Sequence, residues 1–93
     1  METKKILTKH PQGKSGRNID LEKYEMVKDA ILQILDGKEL THNELLDHLN
    51  KILKTKFVGN IGWYSETVKL DLEAREIIER TASKPQKYRI KSS

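Results

Sequence analysis

The sequence predicts an α+β fold, mainly α, in which three helices are followed by a C-terminal β-hairpin. Apolar residues recur at spacings of three and four in three separate segments, and the spacing changes to two near the C-terminus. Residues typical of helix ends and turns separate these segments. Ninety-three residues suffice for one hydrophobic core, so we expect one folded domain.

Composition excludes several classes of protein. The chain has no cysteine, and therefore neither a disulfide nor a thiolate metal site. It has no apolar run near the roughly 20 residues that a membrane span needs, and residues 1–7 lack the apolar core of a signal peptide. We expect a cytoplasmic protein with no membrane contact.

The net charge of +4 is confined to the N-terminal end. Residues 1–17 contain five basic residues and one acidic residue, whereas residues 18–93 contain thirteen of each. The N-terminal end also holds a proline and two glycines, which favour turns, and only the short apolar pair Ile6-Leu7. We therefore divide the chain into a flexible basic arm, 1–18, and a folded domain, 19–93.

The first helix is predicted over residues 21–35. Asp20 precedes it and is of the type that caps helix N-termini. Apolar residues then recur at helical spacing: Leu21, Tyr24, Val27, Ile31, Ile34 and Leu35. Asp36-Gly37 ends the helix, because Gly37 is free to adopt the left-handed conformation that closes helices.

The second helix is predicted from about residue 42 to 54, after a short strand at Leu40-Thr41. Thr41 and Glu44 match the capping box, in which the two residues satisfy each other's backbone amides. The apolar stripe of this helix is Leu45, Leu46, Leu49, Ile52 and Leu53. His42 is expected in its exposed first turn. Residues 57–62 contain two glycines and are predicted to form a loop.

The third helix is predicted over residues 63–75, with Val68 and Leu72 on its buried face. After it, residues 82–86 are typical of a turn, and the apolar Tyr88 and Ile90 alternate with basic residues. This predicts a hairpin of two short strands. The order helix, strand, helix, helix, strand, strand is that of a winged helix-turn-helix, in which the hairpin is the wing.

The third helix and the hairpin also carry a pattern found in one family. Its residues are Gly62-Trp63-Tyr64-Ser65-Glu66-Thr67-Val68-Lys69-Leu70-Asp71-Leu72-Glu73-Ala74, Arg80, Lys84-Pro85 and Tyr88-Arg89, with Leu40-Thr41, Tyr24 and His10-Pro11 upstream. In these residues, over about 10–89, the chain resembles a family of small uncharacterised bacterial proteins that are similar to winged helices. The resemblance implies the same fold and no particular activity.

Residues 72–80 are more loosely similar to the winged-helix repressors. In those proteins the recognition helix ends in a Leu-Glu-x-x-Gly turn that opens the wing. Here Leu72-Glu73 begins the turn, and Glu76 stands where the repressors usually have glycine.

Five residues of the third helix are predicted to face outward: Tyr64, Ser65, Thr67, Lys69 and Asp71. In a DNA-binding winged helix, this face enters the major groove and forms hydrogen bonds to base edges. The alternative is a solvated face or a protein contact, since residues 63–76 hold two basic and four acidic residues. Trp63 is expected to fill the core beside a partly exposed Tyr64; the alternative is that both contact a base or a partner.

The basic residues of the arm and the wing are candidates for contacts with DNA phosphates. They are Lys4, Lys5, Lys9, Lys14 and Arg17 in the arm, and Arg80, Lys84, Lys87, Arg89 and Lys91 in the wing. The alternative is that the wing lysines only keep an edge strand soluble.

No pattern in the sequence points to catalysis. His42 and His48 are six residues apart, whereas two ligands on one helix face are four apart. There is no cysteine nucleophile and no glycine-rich phosphate loop, so we expect no enzyme, no cofactor and no metal. The sequence predicts a regulatory protein that binds double-stranded DNA. The alternative is a module that binds a protein partner or forms a homodimer without binding DNA.

Overall fold

Three helices and two small antiparallel sheets make up the fold, in a computed structural model that describes residues 4–13 and 16–91. In chain order the elements are β1 (Lys5–Leu7), β2 (Asn18–Asp20), α1 (Leu21–Leu35), β3 (Leu40–Thr41), α2 (His42–Leu53), α3 (Ile61–Ala74), β4 (Ile78–Arg80) and β5 (Lys87–Ile90). The predicted α+β class is confirmed. Within the described part of the chain, no helix is long and apolar enough to cross a bilayer.

Helix α1 has the predicted bounds, and local chemistry fixes both of its ends. Asp20 caps the helix, since its Oδ1 accepts a hydrogen bond from the Glu22 amide at 2.9 Å. At the other end, Gly37 has a φ of 68°, which glycine adopts without steric cost. The apolar stripe faces the core, and Val27 and Ile31 are completely buried.

Helix α2 begins with the predicted capping box. The Thr41 hydroxyl accepts a hydrogen bond from the Glu44 amide at 3.2 Å, and the Glu44 carboxylate accepts one from the Thr41 amide at 2.9 Å. The bond from the Thr41 amide lowers the pKa of Glu44, because it favours the charged carboxylate. The helix buries Leu45, Leu49 and Leu53.

Helix α3 starts earlier than predicted and ends in a strained turn. Asn60 caps it, accepting from the Trp63 amide at 2.9 Å, so the helix begins at Ile61. At the other end, Glu76 has a φ of 61°. The Ile77 amide donates to the Leu72 carbonyl at 2.9 Å, and the Glu76 amide to the Glu73 carbonyl at 3.1 Å. This is the Schellman arrangement, in which glycine is the favoured residue at the position of Glu76.

The three-stranded sheet has the antiparallel order β3-β5-β4. β4 and β5 form the predicted C-terminal hairpin, in which Ile78 lies opposite Ile90 and Arg80 opposite Tyr88. β3 pairs with the other edge of β5 through Leu40 and Tyr88. The C-terminal hairpin is therefore fixed to the segment between α1 and α2.

The hydrophobic core of the described residues lies between the three helices and the three-stranded sheet. Its most deeply buried apolar side chains are Val27, Ile31, Leu35, Leu45, Leu49, Leu53, Val68, Leu72 and Ile78. Each helix contributes at least two of them, so the helices depend on one another for their burial.

The N-terminal hairpin, formed by β1, β2 and the described residues between them (8–13 and 16–17), differs from the flexible arm predicted over residues 1–18. Ile6 lies opposite Ile19; Ile19 is buried, and Ile6 packs against the core. The pairing continues with the Thr8 amide donating to the Arg17 carbonyl at 2.8 Å. Both strands have three residues, too few to show an alternating pattern in the sequence.

Candidate nucleic-acid interface

Helix α3 is buried over most of its circumference and exposes one narrow stripe. The buried residues include Ser65, Val68, Lys69, Asp71 and Leu72. The exposed and half-buried residues at the spacing i, i+3, i+4, i+7 form the outer stripe: Trp63, Glu66, Thr67 and Leu70. Any ligand that reads α3 must do so through this stripe.

Three residues predicted to face outward are buried, so that part of the prediction is wrong. Ser65, Lys69 and Asp71 expose 3%, 4% and 0% of their surfaces. Ser65 and Lys69 are four residues apart and lie on the helix face that carries the apolar core residues of α3. The other two predicted residues, Tyr64 and Thr67, are half-buried.

Lys69 is buried in a polar cluster that satisfies its charge. Its Nζ donates to Nδ1 of His42 at 2.8 Å and to Oε2 of Glu66 at 3.2 Å, and it lies 4.4 Å from the centroid of the Tyr88 ring. Because Nδ1 accepts this bond, neutral His42 carries its hydrogen on Nε2. The cluster joins α2, α3 and β5, and it holds His42 half-buried rather than in the exposed position expected from the sequence.

Asp71 joins α3 to α1 and to the N-terminal hairpin. Its Oδ1 accepts from the Lys9 backbone amide at 2.8 Å, and its Oδ2 accepts from the Tyr24 hydroxyl. Arg75 Nε donates to both oxygens, at 3.0 and 2.9 Å. Burial raises the pKa of Tyr24 well above its ordinary value, and the bond to Asp71 raises it further. The Asp71 oxygens thus accept hydrogen bonds from α1, from the N-terminal hairpin and from Arg75 at the end of α3. This carboxylate therefore has a structural role.

Trp63 lies outside the core in which the sequence predicted it, whereas Tyr64 is partly exposed, as expected. Trp63 is 43% exposed, whereas Tyr64 packs against the core, so the prediction that Trp63 fills the core is wrong. The Tyr64 ring meets the Phe57 and Trp63 rings edge-on, with centroids 5.1 and 4.9 Å apart. The Lys23 ammonium lies 5.4 Å from the Tyr64 centroid. α3 begins two residues earlier than predicted, and the register of its buried face places Tyr64 inward.

The arginines of the C-terminal hairpin are ion-paired within the fold. Arg80 Nε donates to Glu73 of α3. Arg89 donates to Glu79 at 2.7 Å and to Glu39 at 2.9 Å. These bonds raise the pKa of each arginine. Both side chains therefore have partners that a DNA phosphate would have to replace.

The lysines of the same hairpin are placed differently from one another. Lys91 donates to Glu76 at 3.0 Å. Lys84 is exposed in the turn, and Lys87 is half-buried in β5. Within residues 4–13 and 16–91, neither Lys84 nor Lys87 forms an ion pair.

The N-terminal hairpin carries a second group of exposed cations. They are Lys4, Lys5, Lys9 and Arg17; Lys14, the fifth predicted residue, lies outside the described residues. In the part of the chain that the structure describes, none of these four forms an ion pair. The bond from the Lys9 amide to Asp71 attaches this hairpin to α3.

Sequence reasoning missed the polar network that organises α3. Two of its ion pairs have a local signature, since Arg75 follows Asp71 by four residues and Lys69 follows Glu66 by three. Tyr24 and His42 join from distant parts of the chain and have none. Among the described residues, no group of three or more metal-ligating side chains is placed to hold a metal ion.

A comparison with protein families finds a match that covers most of the chain. A family model described as a family of unknown function (DUF6958) matches residues 5–88. The match extends from β1 into β5, so it includes the N-terminal hairpin and all three helices. No curated protein and no solved structure matches the chain significantly.

Proposed function

This chain belongs to DUF6958, the family of unknown function, and we propose that it is a winged helix-turn-helix protein that binds double-stranded DNA. The order α1-β3-α2-α3-β4-β5 and the sheet order β3-β5-β4 are those expected of a winged helix. In this interpretation α3 is the recognition helix and the C-terminal hairpin is the wing. The proposed role is regulatory, cytoplasmic and non-enzymatic.

One observation carries the proposal: every carboxylate of α3 is already paired with a cation of the fold. Asp71 pairs with Arg75, Glu73 with Arg80 and Glu66 with Lys69. An acidic recognition helix would repel phosphates if its carboxylates were free. Internal pairing removes most of this repulsion.

Six cations without an ion-pair partner among the described residues lie on the two hairpins that are attached to α3. Lys4, Lys5, Lys9 and Arg17 belong to the N-terminal hairpin, and Lys84 and Lys87 to the wing. The N-terminal hairpin is attached to α3 through Asp71, and the wing through Glu73. We propose that the two hairpins contact phosphates on either side of the groove that receives the outer stripe.

The test is fluorescence anisotropy with a labelled random duplex at 50 and 200 mM salt. Six phosphate contacts predict a fall in affinity of about a thousandfold between these concentrations. A variant with Lys4, Lys5, Lys84 and Lys87 changed to Gln is expected to lose most of the binding.

The matched control changes Lys28, Lys38, Lys51 and Lys56 to Gln. It removes the same charge from α1, from the α1–β3 connection and from the end of α2. Binding close to that of the unmodified chain is expected for this control. An equal loss in both variants, or no binding by the unmodified chain at 50 mM salt, would refute the proposal.

A second candidate function is protein binding, and the exposed apolar side chains favour it. Val58 is 80% exposed in the loop before α3, and Trp63 is 43% exposed five residues later. Exposed tryptophans are frequent anchors of protein interfaces. Light scattering of the unmodified chain and of Trp63→Ala tests self-association: a dimer that becomes a monomer in the variant supports this candidate, and a monomer at all concentrations removes its homodimeric form.

A further inference from the structure

A groove with one cationic wall runs between the N-terminal hairpin and α3. It is open to solvent and has a volume of about 260 Å³. The side chains along it are Thr8, Lys9, His10, Arg17, Thr67 and Leu70. No carboxylate is among them, and Thr67 and Leu70 belong to the outer stripe of α3.

The charges of this groove are free to meet an anion. Lys9 and Arg17 are exposed, and within residues 4–13 and 16–91 neither has an ion-pair partner. A second groove, lined by residues 35–39 and 89–91, gives the contrast. Its Arg89 is paired with Glu39, which lines the same groove, and its Lys91 with Glu76. An anion entering that second groove would have to compete with carboxylates.

The backbone around the first groove is held in place. The Thr8 hydroxyl accepts from the Arg17 amide at 2.8 Å, which places Arg17 across the hairpin from Thr8. The Lys9 amide is bound to Asp71 at 2.8 Å. Gly16 has no room for a side chain, because a Cβ there would lie 1.6 Å from the Thr8 carbonyl oxygen. The two cations therefore project from a fixed frame.

His10 is also held in position by its own turn. Its Nδ1 accepts from the Gln12 amide at 3.1 Å, and its carbonyl accepts from the Gly13 amide at 3.0 Å. Since Nδ1 is an acceptor, neutral His10 carries its hydrogen on Nε2 and can donate it to an anion. The groove thus combines two cations with an imidazole N–H donor.

We propose that this groove binds one phosphate group, with Lys9 and Arg17 as its ionic partners and with His10 and Thr67 as further donors. The occupant is a backbone phosphodiester of duplex DNA, and this part of the inference depends on the proposed function. A free phosphate would present the same oxygens to the same residues. A phosphate here fixes the position of the DNA relative to the outer stripe of α3, since Thr67 belongs to both.

The experiment is a double-mutant cycle on duplex binding, using Lys9→Gln, Arg17→Gln and the double variant. If both side chains bind one phosphate, each single variant weakens binding by about eightfold at 0.1 M salt. The double variant then loses little more than either single variant, and the salt slope falls by about one in all three variants. Lys54→Gln, Lys56→Gln and their double variant serve as controls of equal charge and are expected to change affinity less than twofold.

The possible results distinguish failure of the phosphate site from failure of DNA binding. Coupled losses at Lys9 and Arg17, with a smaller loss in Thr67→Val, support the phosphate site. Duplex binding that responds to Lys9 and Arg17 no more than to the controls overturns the site and leaves DNA binding intact. Independent, additive losses at Lys9 and Arg17 overturn a shared phosphate.

A second measurement decides the case in which the unmodified chain binds no duplex. Inorganic phosphate is titrated into the ¹⁵N-labelled chain, and the amide shifts of Thr8, Lys9 and Arg17 are followed by NMR. Saturable shifts that Arg17→Gln abolishes retain the phosphate site and assign it to a free phosphate. The absence of saturable shifts there overturns the inference.

Discussion

Glu76, in the turn after α3, lies in the left-handed region with a φ of 61°. This conformation costs a non-glycine residue about 1–2 kcal/mol. Glu76→Gly is therefore expected to raise the free energy of unfolding by about 0.5–1 kcal/mol, since the greater freedom of glycine in the unfolded chain offsets part of the gain. Thermal or urea unfolding measures the change.

The control for this prediction is Glu76→Ala. Both variants lose the exposed ion pair with Lys91, which contributes little. Only Glu76→Gly removes the Cβ, so it is expected to be the more stable of the two. A glycine variant no more stable than the alanine variant would contradict the strain inferred for this turn.

Tyr24 gives the fold a dependence on alkaline pH. Its pKa is raised in the folded state by burial and by the bond to Asp71. The stability that it contributes is therefore complete below its unfolded pKa of about 10 and is lost as pH rises towards the folded value. We expect the free energy of unfolding to fall above about pH 10 more steeply in the unmodified chain than in Tyr24→Phe.

The same pair of proteins provides a neutral-pH reference. At pH 7, Tyr24→Phe removes one hydrogen bond to a buried carboxylate and is expected to cost about 1–3 kcal/mol. The difference in the free energy of unfolding between the unmodified chain and Tyr24→Phe should shrink as the pH rises above about 10, because folding of the unmodified chain then requires Tyr24 to take up a proton. Parallel stability curves from pH 7 to 11 would show that Tyr24 is not linked to folding.

Residue roles that depend on neighbours in sequence could be predicted, and those that depend on distant partners could not. Asp20, Gly37 and Thr41 act within a few residues of their own positions, and all three were predicted. Asp71 meets groups 47 and 62 residues away, and Lys69 meets one 27 residues away. No spacing rule on one helix contains that information.

At the scale of elements, the N-terminal hairpin is expected to support the rest of the fold. Deletion of residues 1–17 removes Ile6 from the core surface and the Lys9 amide from the buried Asp71. The expected loss is about 2–4 kcal/mol, from lost apolar burial and from an acceptor left with one fewer bond. Thermal unfolding followed by circular dichroism measures it.

The comparison protein for this deletion keeps the hairpin and removes its charge. Changing Lys4, Lys5, Lys9 and Arg17 to Gln leaves the backbone bonds in place, so the melting temperature is expected to stay within a few degrees. A deletion as stable as the unmodified chain would mean that this segment contributes nothing to the fold. The deletion is thus a poor test of DNA binding, and side-chain substitutions are the better one.

Helices and strands could be predicted from the sequence when they contain a long pattern of regularly spaced apolar residues. α1 has fifteen residues and was predicted with its observed bounds. The boundaries of α2 and α3 differ from prediction by one or two residues, because caps such as Asn60 act before the apolar pattern starts. β1 and β2 were not predicted, since each is short and joins its partner only through tertiary pairing.

At the scale of the whole molecule, ion pairing determines where the net charge lies on the surface. The sequence places the excess of +4 in its first seventeen residues. In the described residues, most of the acidic and basic groups around α3 and the C-terminal hairpin neutralise one another. The N-terminal hairpin therefore carries the largest share of the excess charge, which favours a fixed orientation of the molecule towards a polyanion.

The direct continuation of β2 into α1, with Asp20 ending the strand and Leu21 beginning the helix, determines how the molecule would meet a ligand. A disordered arm that wraps around DNA loses conformational freedom at the moment of binding. In the described residues of this segment, 4–13 and 16–18, that entropy has already been lost during folding, so association through them can proceed by docking of a preformed surface. The heat-capacity change of such docking reflects the contact area alone, without the added contribution of a segment that folds.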